Sequence, residues 1–357
     1  IGMLLIFGVS LGSLYLINLF LMKPVSIDHF LGKEFLTGLA DSPESMTYIG
    51  IFDRFNWVTE HNSKLSIPNP DDLKADIKDA RRTLKILNKY KDSSLSDNQK
   101  ITKSIAIFDT ENNLKQLEKF PYHDYPLNQV RGAHHNVISF MSDMHPIRNL
   151  SEAKDFIKRT NLIIDVYSGL LSWLERQAAE GIYAPKFVYA HLIKQLDELI
   201  NYSIEEHPLY TQFIKKTELL NISDNQLADL SADLKLSIEN SVTPGFVLLR
   251  DFMVSTRDDA NPHHGIWSQP NGDEFYKLRI RSYTTTDYSP QKIHDLGISE
   301  VARISSRMKE ILVSLGYDAS KTAGTLMNEL NEDPSMLYAD TPDRKKIVVQ
   351  DYMDMVT

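Results

Sequence analysis

The chain has 357 residues, of which 42% are hydrophobic and 24% charged, and this mixture excludes long disordered, collagen-like and low-complexity proteins. A length of 357 residues favours two domains, or part of a larger protein. The net charge of −9 provides no basic footprint, so we expect no nucleic-acid partner. The absence of cysteine excludes disulfides, thiolate nucleophiles and cysteine-ligated zinc.

The first 22 residues carry no charge, and Lys23 and Pro24 follow them. At about 1.5 Å per residue, a helix of this length reaches roughly 33 Å, enough to cross the hydrocarbon core of a bilayer. We therefore expect residues 1–22 to anchor the chain in the inner membrane, with the soluble part periplasmic or extracellular. A cleaved signal peptide is the alternative, although no basic residue precedes the apolar run. A buried core helix is a third interpretation.

Helical patterns dominate the remaining sequence. We predict polar helices from Asp71 to about Lys91 and from Ser96 to about Lys119. The segment 120–126, rich in proline and aromatic residues, is typical of a linker or crossing loop. It divides an N-terminal helical region, 23–120, from a second helical domain, 121–357. No sustained β alternation and no repeat interrupts these patterns, so the predicted fold class is all-α, mainly helical.

Three helices beyond this loop have recognisable start signals. Ser151 predicts the N-cap of a long helix that ends at Gly181. Pro185 predicts the start of the next helix, and Ser223 predicts the N-cap of a third.

The best-defined helix is predicted between Ser289 and Gly316, with Pro290 at its first position. At 100° per residue its apolar side chains share one broad face. These residues are Ile293, Leu296, Val301, Ile304, Met308, Ile311, Leu312 and Leu315.

Three further residues of this helix project onto the same apolar face. Gly297 would let another backbone approach closely. Glu300 and Arg307 place charges there, and a buried carboxylate needs a partner. Either Glu300 pairs with Arg303 or Arg307 inside the fold, or these charges line a polar cleft.

The histidines show no helical metal motif. No two of the 11 histidines stand three or four residues apart. Side chains of the adjacent pairs His134–His135 and His263–His264 would diverge by about 100° on a helix, so they could bind a metal only with distant partners. We predict no metal ligand and no catalytic residue in this chain.

The most distinctive stretch runs from Pro270 to Ile304. It contains Gly-Asp-Glu-Phe-Tyr at 272–276, Thr-Thr-Thr-Asp at 284–287 and Pro-Gln-Lys-Ile-His-Asp-Leu-Gly at 290–297. This series resembles the bacterial domain-of-unknown-function 885 family, although Phe275 stands where the family usually has tyrosine. Upstream segments resemble the same family: Ser42-Pro-Glu44 with Thr47, Tyr125-Pro-Leu-Asn128, and Gly181 to Phe187 with Pro185.

The resemblance implies a mostly helical, secreted or membrane-attached protein similar to zinc metallopeptidases. The His-Glu-x-x-Pro-Gly-His-His stretch of such proteins has no counterpart here. We therefore expect the N-terminal part of a longer peptidase-like protein that hydrolyses peptides, a helical array truncated at its C-terminus. Zinc is expected for the complete protein and none for this segment alone. A non-catalytic helical peptide-binding module is the alternative, and a purely structural helical protein is a third.

The resemblance also singles out residues for a substrate cleft. Arginine could pair with a peptide carboxylate, and tyrosine or threonine could hydrogen-bond a peptide backbone. Alternatively, the threonines and Asp287 organise the turn that leads into the Ser289 helix. The candidates for substrate binding are Tyr276, Arg279, Arg281, Tyr283, Thr284, Thr285, Thr286 and His294.

Overall fold

The computed structural model describes Tyr15, Asn18, residues 24–51 and residues 59–356. The anchor predicted at residues 1–22 therefore lies outside the described residues, apart from two positions. Among the residues that are described, no helix combines the length and the apolar character needed to cross a bilayer. The membrane anchor stays a prediction.

The described part of the chain consists of helices, with one isolated parallel β-bridge between Pro185 and Asn261 and no strand. The all-α fold class is confirmed. In chain order the helices are α1 (Ile27–Ala40), α2 (Pro43–Ile49), α3 (Leu73–Leu87), α4 (Asp97–Lys119), α5 (Ala133–Ser139), α6 (Leu150–Asn161), α7 (Ile163–Ala179), α8 (Lys186–Ile200), α9 (Pro208–Thr217), α10 (Asp224–Ser237), α11 (Thr243–Ser255), α12 (Gly272–Thr284), α13 (Pro290–Ser314), α14 (Ala323–Glu332) and α15 (Arg344–Val356).

The chain forms two compact units, Ile1–Ser282 and Tyr283–Thr357. The first unit contains the main core, in which α8 and α7 both pack against α11. Gly245 on α11 admits the Tyr167 ring, because a Cβ at this position would come within 2.6 Å of it. The loop at residue 120 lies inside this first unit, and the domain boundary predicted there stays a prediction.

The long helix predicted from Ser151 to Gly181 is wrong in two respects. Asn149, not Ser151, caps α6, by accepting a hydrogen bond from the Glu152 N–H at 3.0 Å. A break at Leu162 then separates α6 from α7. The Ser241 hydroxyl occupies this break, where it donates to the Asn161 carbonyl at 2.9 Å and accepts from the Ile164 N–H at 3.0 Å. A side chain distant in sequence thus replaces helical hydrogen bonds.

The other helix starts are confirmed. Ser223 forms a capping box with Gln226 at the start of α10, and α8 begins directly after Pro185. Ser289 accepts from the Lys292 N–H at 3.2 Å, and Pro290 is the first residue of α13. These starts depend on neighbouring residues, which is why local sequence predicts them.

The broad apolar face of α13 is largely exposed, so the first of the two interpretations, in which its charges pair inside the fold, is wrong. Leu312 is buried, whereas Leu296, Val301 and Ile304 are at least 46% exposed. Glu300 does pair with Arg303 at 2.7 Å, but on the surface, with exposed fractions of 46% and 66%. Beyond the adjacent turns of its own helix, no described atom lies within 4 Å of a Cβ placed on Gly297, so the close backbone approach predicted there is not found in the described residues.

Candidate functional site

Three segments of the motif series lie side by side in the first unit. The Tyr125 hydroxyl, from the loop after α4, donates to the Tyr183 carbonyl at 3.2 Å. Gln269, buried in the loop before α12, donates its amide to the Tyr125 hydroxyl. His123 Nε2 lies 2.7 Å from the Pro270 carbonyl and, because a carbonyl only accepts, carries the donated hydrogen. The three loops are therefore interlocked through buried polar contacts.

Asn261 connects the loop before α12 to the start of α8. Its carbonyl accepts from the Lys186 N–H at 2.8 Å, and its own N–H donates to Ala184 at 3.3 Å. Its side-chain amide donates to the Ser268 hydroxyl at 2.7 Å, and its side-chain oxygen accepts from the His263 N–H at 2.9 Å. One asparagine thus fixes both the position and the internal turn of this loop.

Aromatic packing fixes the start of α12 beneath these loops. Phe275 is buried, with its ring centroid 5.5 Å from that of Phe120 and 5.0 Å from that of His123. An apolar ring suits this site, which explains how the chain accommodates phenylalanine where tyrosine is usual in the resembling family.

Two glycines are required by close approaches in the same loop. A Cβ on Gly265 would come within 2.1 Å of the Trp267 ring nitrogen, so the indole folds directly over this glycine. A Cβ on Gly272 would come within 2.0 Å of the Ile266 carbonyl oxygen. The Trp267 indole thus packs on the backbone of Gly265, and α12 begins against the backbone of Ile266.

The outer side of this loop exposes four rings that we call the aromatic surface: Phe187, His263, His264 and Trp267. Trp267 is 60% exposed and its ring centroid lies 5.2 Å from that of His263. Phe187 is 42% exposed and lies 4.8 Å from His264. The sequence analysis did not assign this surface to the site. The available signal was Gly265 and Trp267 next to a histidine pair, immediately before the motif.

The two predicted arginines of α12 contact α4. Arg279 donates to the Gln116 side-chain oxygen at 3.4 Å. The Arg281 guanidinium lies 4.4 Å from the centre of the Phe108 ring and hydrogen-bonds Asn112. These contacts fasten α12 to α4. A role for either arginine in substrate binding stays a prediction.

Tyr276, in the first turns of α12, is 44% exposed and is the member of the predicted set in the first unit with the most accessible side chain. Its ring is available to a ligand from solvent. Its predicted role therefore agrees with its accessibility.

Tyr283, Thr285 and His294 belong to the second unit. Tyr283 is 77% exposed, and His294 is exposed near the start of α13. Thr285 has a positive φ of 53°, and its hydroxyl donates to the Thr284 carbonyl at 2.7 Å. The Thr284 hydroxyl accepts from the Thr286 N–H at 3.3 Å, so the threonines organise the turn before α13.

The residues described do not fit a zinc site. They include no group of three or more histidine, aspartate or glutamate side chains placed to hold a metal ion. His134 is buried with its Nε2 3.3 Å from the Gln195 side-chain oxygen, and its burial, with a smaller effect of His135, lowers its pKa to about 4. His135 and the exposed pair His263–His264 gain no metal-binding partner from the described residues.

The upstream motif at Ser42 to Thr47 lies at a different place, around the fully buried Arg159. This guanidinium donates to the Thr47 hydroxyl at 2.8 Å, the Lys64 carbonyl at 2.8 Å and His145 Nδ1 at 2.9 Å. Burial lowers the pKa of Arg159 to about 10. The motif therefore satisfies a buried charge and does not join the interlocked loops.

A family model described as "Bacterial protein of unknown function (DUF885)" matches residues 43–357. The crystal structure of a candidate lipoprotein from Colwellia psychrerythraea matches with a TM-score of 0.74 and 23% identity, over 89% of this chain. The chain thus shares the fold of that protein and spans 57% of its length. No curated protein matches. The chain belongs to the DUF885 family of bacterial proteins.

Proposed function

We propose that the chain is the N-terminal part of a membrane-anchored, extracytoplasmic, zinc-dependent peptidase-like protein, and that the aromatic surface holds its peptide substrate. The observation that carries the binding role is the exposed indole of Trp267, 60% accessible, which folds over Gly265 and lies beside the His263 ring. A ring that already packs against its own loop loses less conformational entropy on binding than a side chain without such contacts.

The chemistry of the surface suits a peptide. Aromatic planes stack against proline and aromatic side chains, and each such contact contributes about 0.5–1.5 kcal/mol beyond its buried area. The imidazoles of His263 and His264 supply hydrogen-bond donors and acceptors for peptide amides. Tyr276, in the same unit, has an exposed side chain with a hydroxyl that can hydrogen-bond a peptide, and Tyr283 stays a predicted substrate-binding residue of the second unit.

The assignment to a longer protein is supported by the structural comparison and by the surface of α13. The chain spans 57% of the length of the protein that shares its fold. Leu296, Val301 and Ile304 form part of an exposed apolar face, which is typical of a surface that packs against other protein. Zinc is expected in the complete protein, and we derive no catalytic step from the residues of this chain.

A non-catalytic helical peptide-binding module is the second candidate. The observation in its favour is that the described residues do not form a metal-binding group. The two candidates share the binding surface and differ in whether the complete protein cleaves the bound peptide.

Peptide binding is tested with the full chain in detergent micelles and a set of fluorescein-labelled decapeptides, with and without proline and aromatic residues. We expect saturable binding by fluorescence anisotropy and, because a stacked ring is lost, about tenfold weaker binding by Trp267→Ala. Tyr202→Ala is the matched control, since Tyr202 is an aromatic residue of the first unit that is 45% exposed and outside the aromatic surface. Equal affinities of the parent chain and Trp267→Ala would refute the binding role.

Catalysis is tested on the complete protein. We expect the coding region beyond the codon for Thr357 to specify a histidine- and glutamate-containing zinc centre, and the purified product to contain zinc and to cleave the decapeptides until a chelator is added. Peptide binding without zinc or cleavage would favour the non-catalytic module.

A further inference from the structure

Helix α1 presents one face to the fold and is held there firmly. Ile27 and Phe30 are buried against Leu87 and Tyr90. The Tyr90 hydroxyl donates to the Pro24 carbonyl at 2.7 Å, just before the helix begins. These contacts fix which side of α1 faces outward.

The outward side of α1 forms an open apolar groove of about 480 Å³. Gly32 contributes no side chain, and beyond the adjacent turns of α1 no described atom lies within 4 Å of a Cβ placed on it. Spacings of three and four residues put the other lining side chains on the same helix face. The groove is lined by Tyr15, Asp28, His29, Gly32, Lys33, Leu36, Thr37 and Ala40.

Asp28, His29 and Lys33 place ionisable groups at one end of the groove, and the surface towards the C-terminal end of α1 is apolar and uncharged. No ionisable residue occurs between Glu34 and Asp41, and within that interval Phe35 is 57% and Leu36 is 53% exposed. Helix α2, which packs against α1, ends with Ile49, which is 48% exposed. Exposed apolar surface of this kind marks an interaction site.

The groove lies where the uncharged N-terminal segment joins the fold. The Tyr15 ring, from within that segment, packs edge-on against the His29 ring at 5.6 Å. The Asn18 side-chain oxygen accepts from the Val25 N–H at 3.0 Å. Tyr15, from a segment with the composition of a bilayer-spanning helix, therefore lines the groove.

We infer that this membrane-facing patch, defined as Gly32, Phe35, Leu36, Ala40 and Ile49, lies in the lipid–water interface and receives lipid acyl chains in the groove of α1. The inference rests on the proposed anchoring of residues 1–22 and extends it from the anchor to the folded unit. Apolar and aromatic side chains beside an anchor partition into the outer 5–10 Å or so of the bilayer. The anchor thereby holds the first unit against the membrane in one orientation.

The absence of native cysteine allows one site at a time to be labelled. We would prepare full chains with Leu36→Cys or Leu236→Cys, attach an environment-sensitive nitrobenzoxadiazole label, and reconstitute each into vesicles of phosphatidylethanolamine and phosphatidylglycerol that contain nitroxide-labelled acyl chains. Leu36 and Leu236 are matched, since both are helical leucines, 53% and 55% exposed. We expect blue-shifted emission and at least about twofold quenching for the label at position 36, and neither change at position 236. Ile49→Cys should behave as Leu36→Cys does.

Flotation of the same samples separates the inference from the anchoring on which it rests. Chains that do not float with the vesicles would refute the anchoring, and the inference with it. Chains that float while the label at position 36 stays in water would refute the inference alone. A label at position 36 that is shielded from water without lipid would also refute the inference. Shielding that depends on protein concentration would indicate that a second copy occupies the groove. Shielding that does not depend on it would indicate that residues 1–14 do.

Discussion

Burial holds three histidine side chains neutral in the folded protein. Burial lowers the pKa of His134 and of His207 to about 4, and it lowers the pKa of His145 to about 3 with a further contribution from Arg159. In the unfolded chain these groups titrate near their ordinary pKa of about 6.5. Below that pH the unfolded state binds protons that the folded state does not, so each histidine lowers stability as pH falls from about 6.5 towards 4.

His207→Asn isolates one of these groups. His207 Nδ1 accepts from the Leu209 N–H at 3.2 Å at the start of α9, and asparagine is a good N-cap that does not titrate. The free energy of unfolding should therefore fall less steeply between pH 6 and pH 5, by about 1 kcal/mol per pH unit, than in the parent chain. Guanidinium unfolding at pH 7, 6 and 5 measures this slope. An unchanged slope would mean that His207 is protonated in the folded protein as readily as in the unfolded chain.

At the scale of single elements, two glycines should respond oppositely to alanine. A Cβ on Gly272 would lie 2.0 Å from the Ile266 carbonyl oxygen, so Gly272→Ala must displace the backbone. This substitution should lower the free energy of unfolding by about 1–3 kcal/mol. Around Gly297, inside α13, no described atom beyond the adjacent turns of that helix lies within 4 Å of the added Cβ. Gly297→Ala should therefore stabilise that helix by about 0.5–1 kcal/mol. Denaturant unfolding followed by circular dichroism compares the two variants, and stabilisation by Gly272→Ala would contradict the packing described here.

Helix ends could be predicted from the sequence where their cause is local. Ser223 and Ser289 cap helices through residues three positions away, so the signal is contained in a few letters. The break at Leu162 depends on the Ser241 hydroxyl, which reaches it from 77 and 80 residues away. Apolar periodicity continues through the break, so the pattern predicts one helix where tertiary contact makes two.

The same limit applies to the assembly of the site. The motif series identified Tyr276, which is accessible, and Arg279, which contacts α4. It did not predict the aromatic surface, because the placement of Trp267 depends on loops joined by Asn261 and Gln269 across the fold. The all-α class could be predicted from the sequence pattern, since helical periodicity recurs along most of the chain and no sustained β alternation occurs.

At the scale of the whole molecule, α13 offers a comparison between its covered and uncovered sides. Leu312 is 3% exposed and belongs to the helix against which α14 packs. Leu312→Lys should lower the free energy of unfolding by about 3 kcal/mol, because it buries a charge and removes apolar contacts. Ile304 is 46% exposed, so Ile304→Lys should change the free energy of unfolding by no more than about 0.5 kcal/mol. Guanidinium unfolding of the chain 1–357 provides both values.

Ile304→Lys should also lower the binding of anilinonaphthalene sulfonate, because it interrupts an exposed apolar face. Under the proposed function, the rest of the complete protein packs over this face. Ile304→Lys should therefore lower the free energy of unfolding of the complete protein by about as much as Leu312→Lys does in the chain 1–357. A cost that stays near zero in the complete protein would show that the α13 face remains on the surface, and it would remove one of the two supports for assigning this chain to a longer peptidase-like protein.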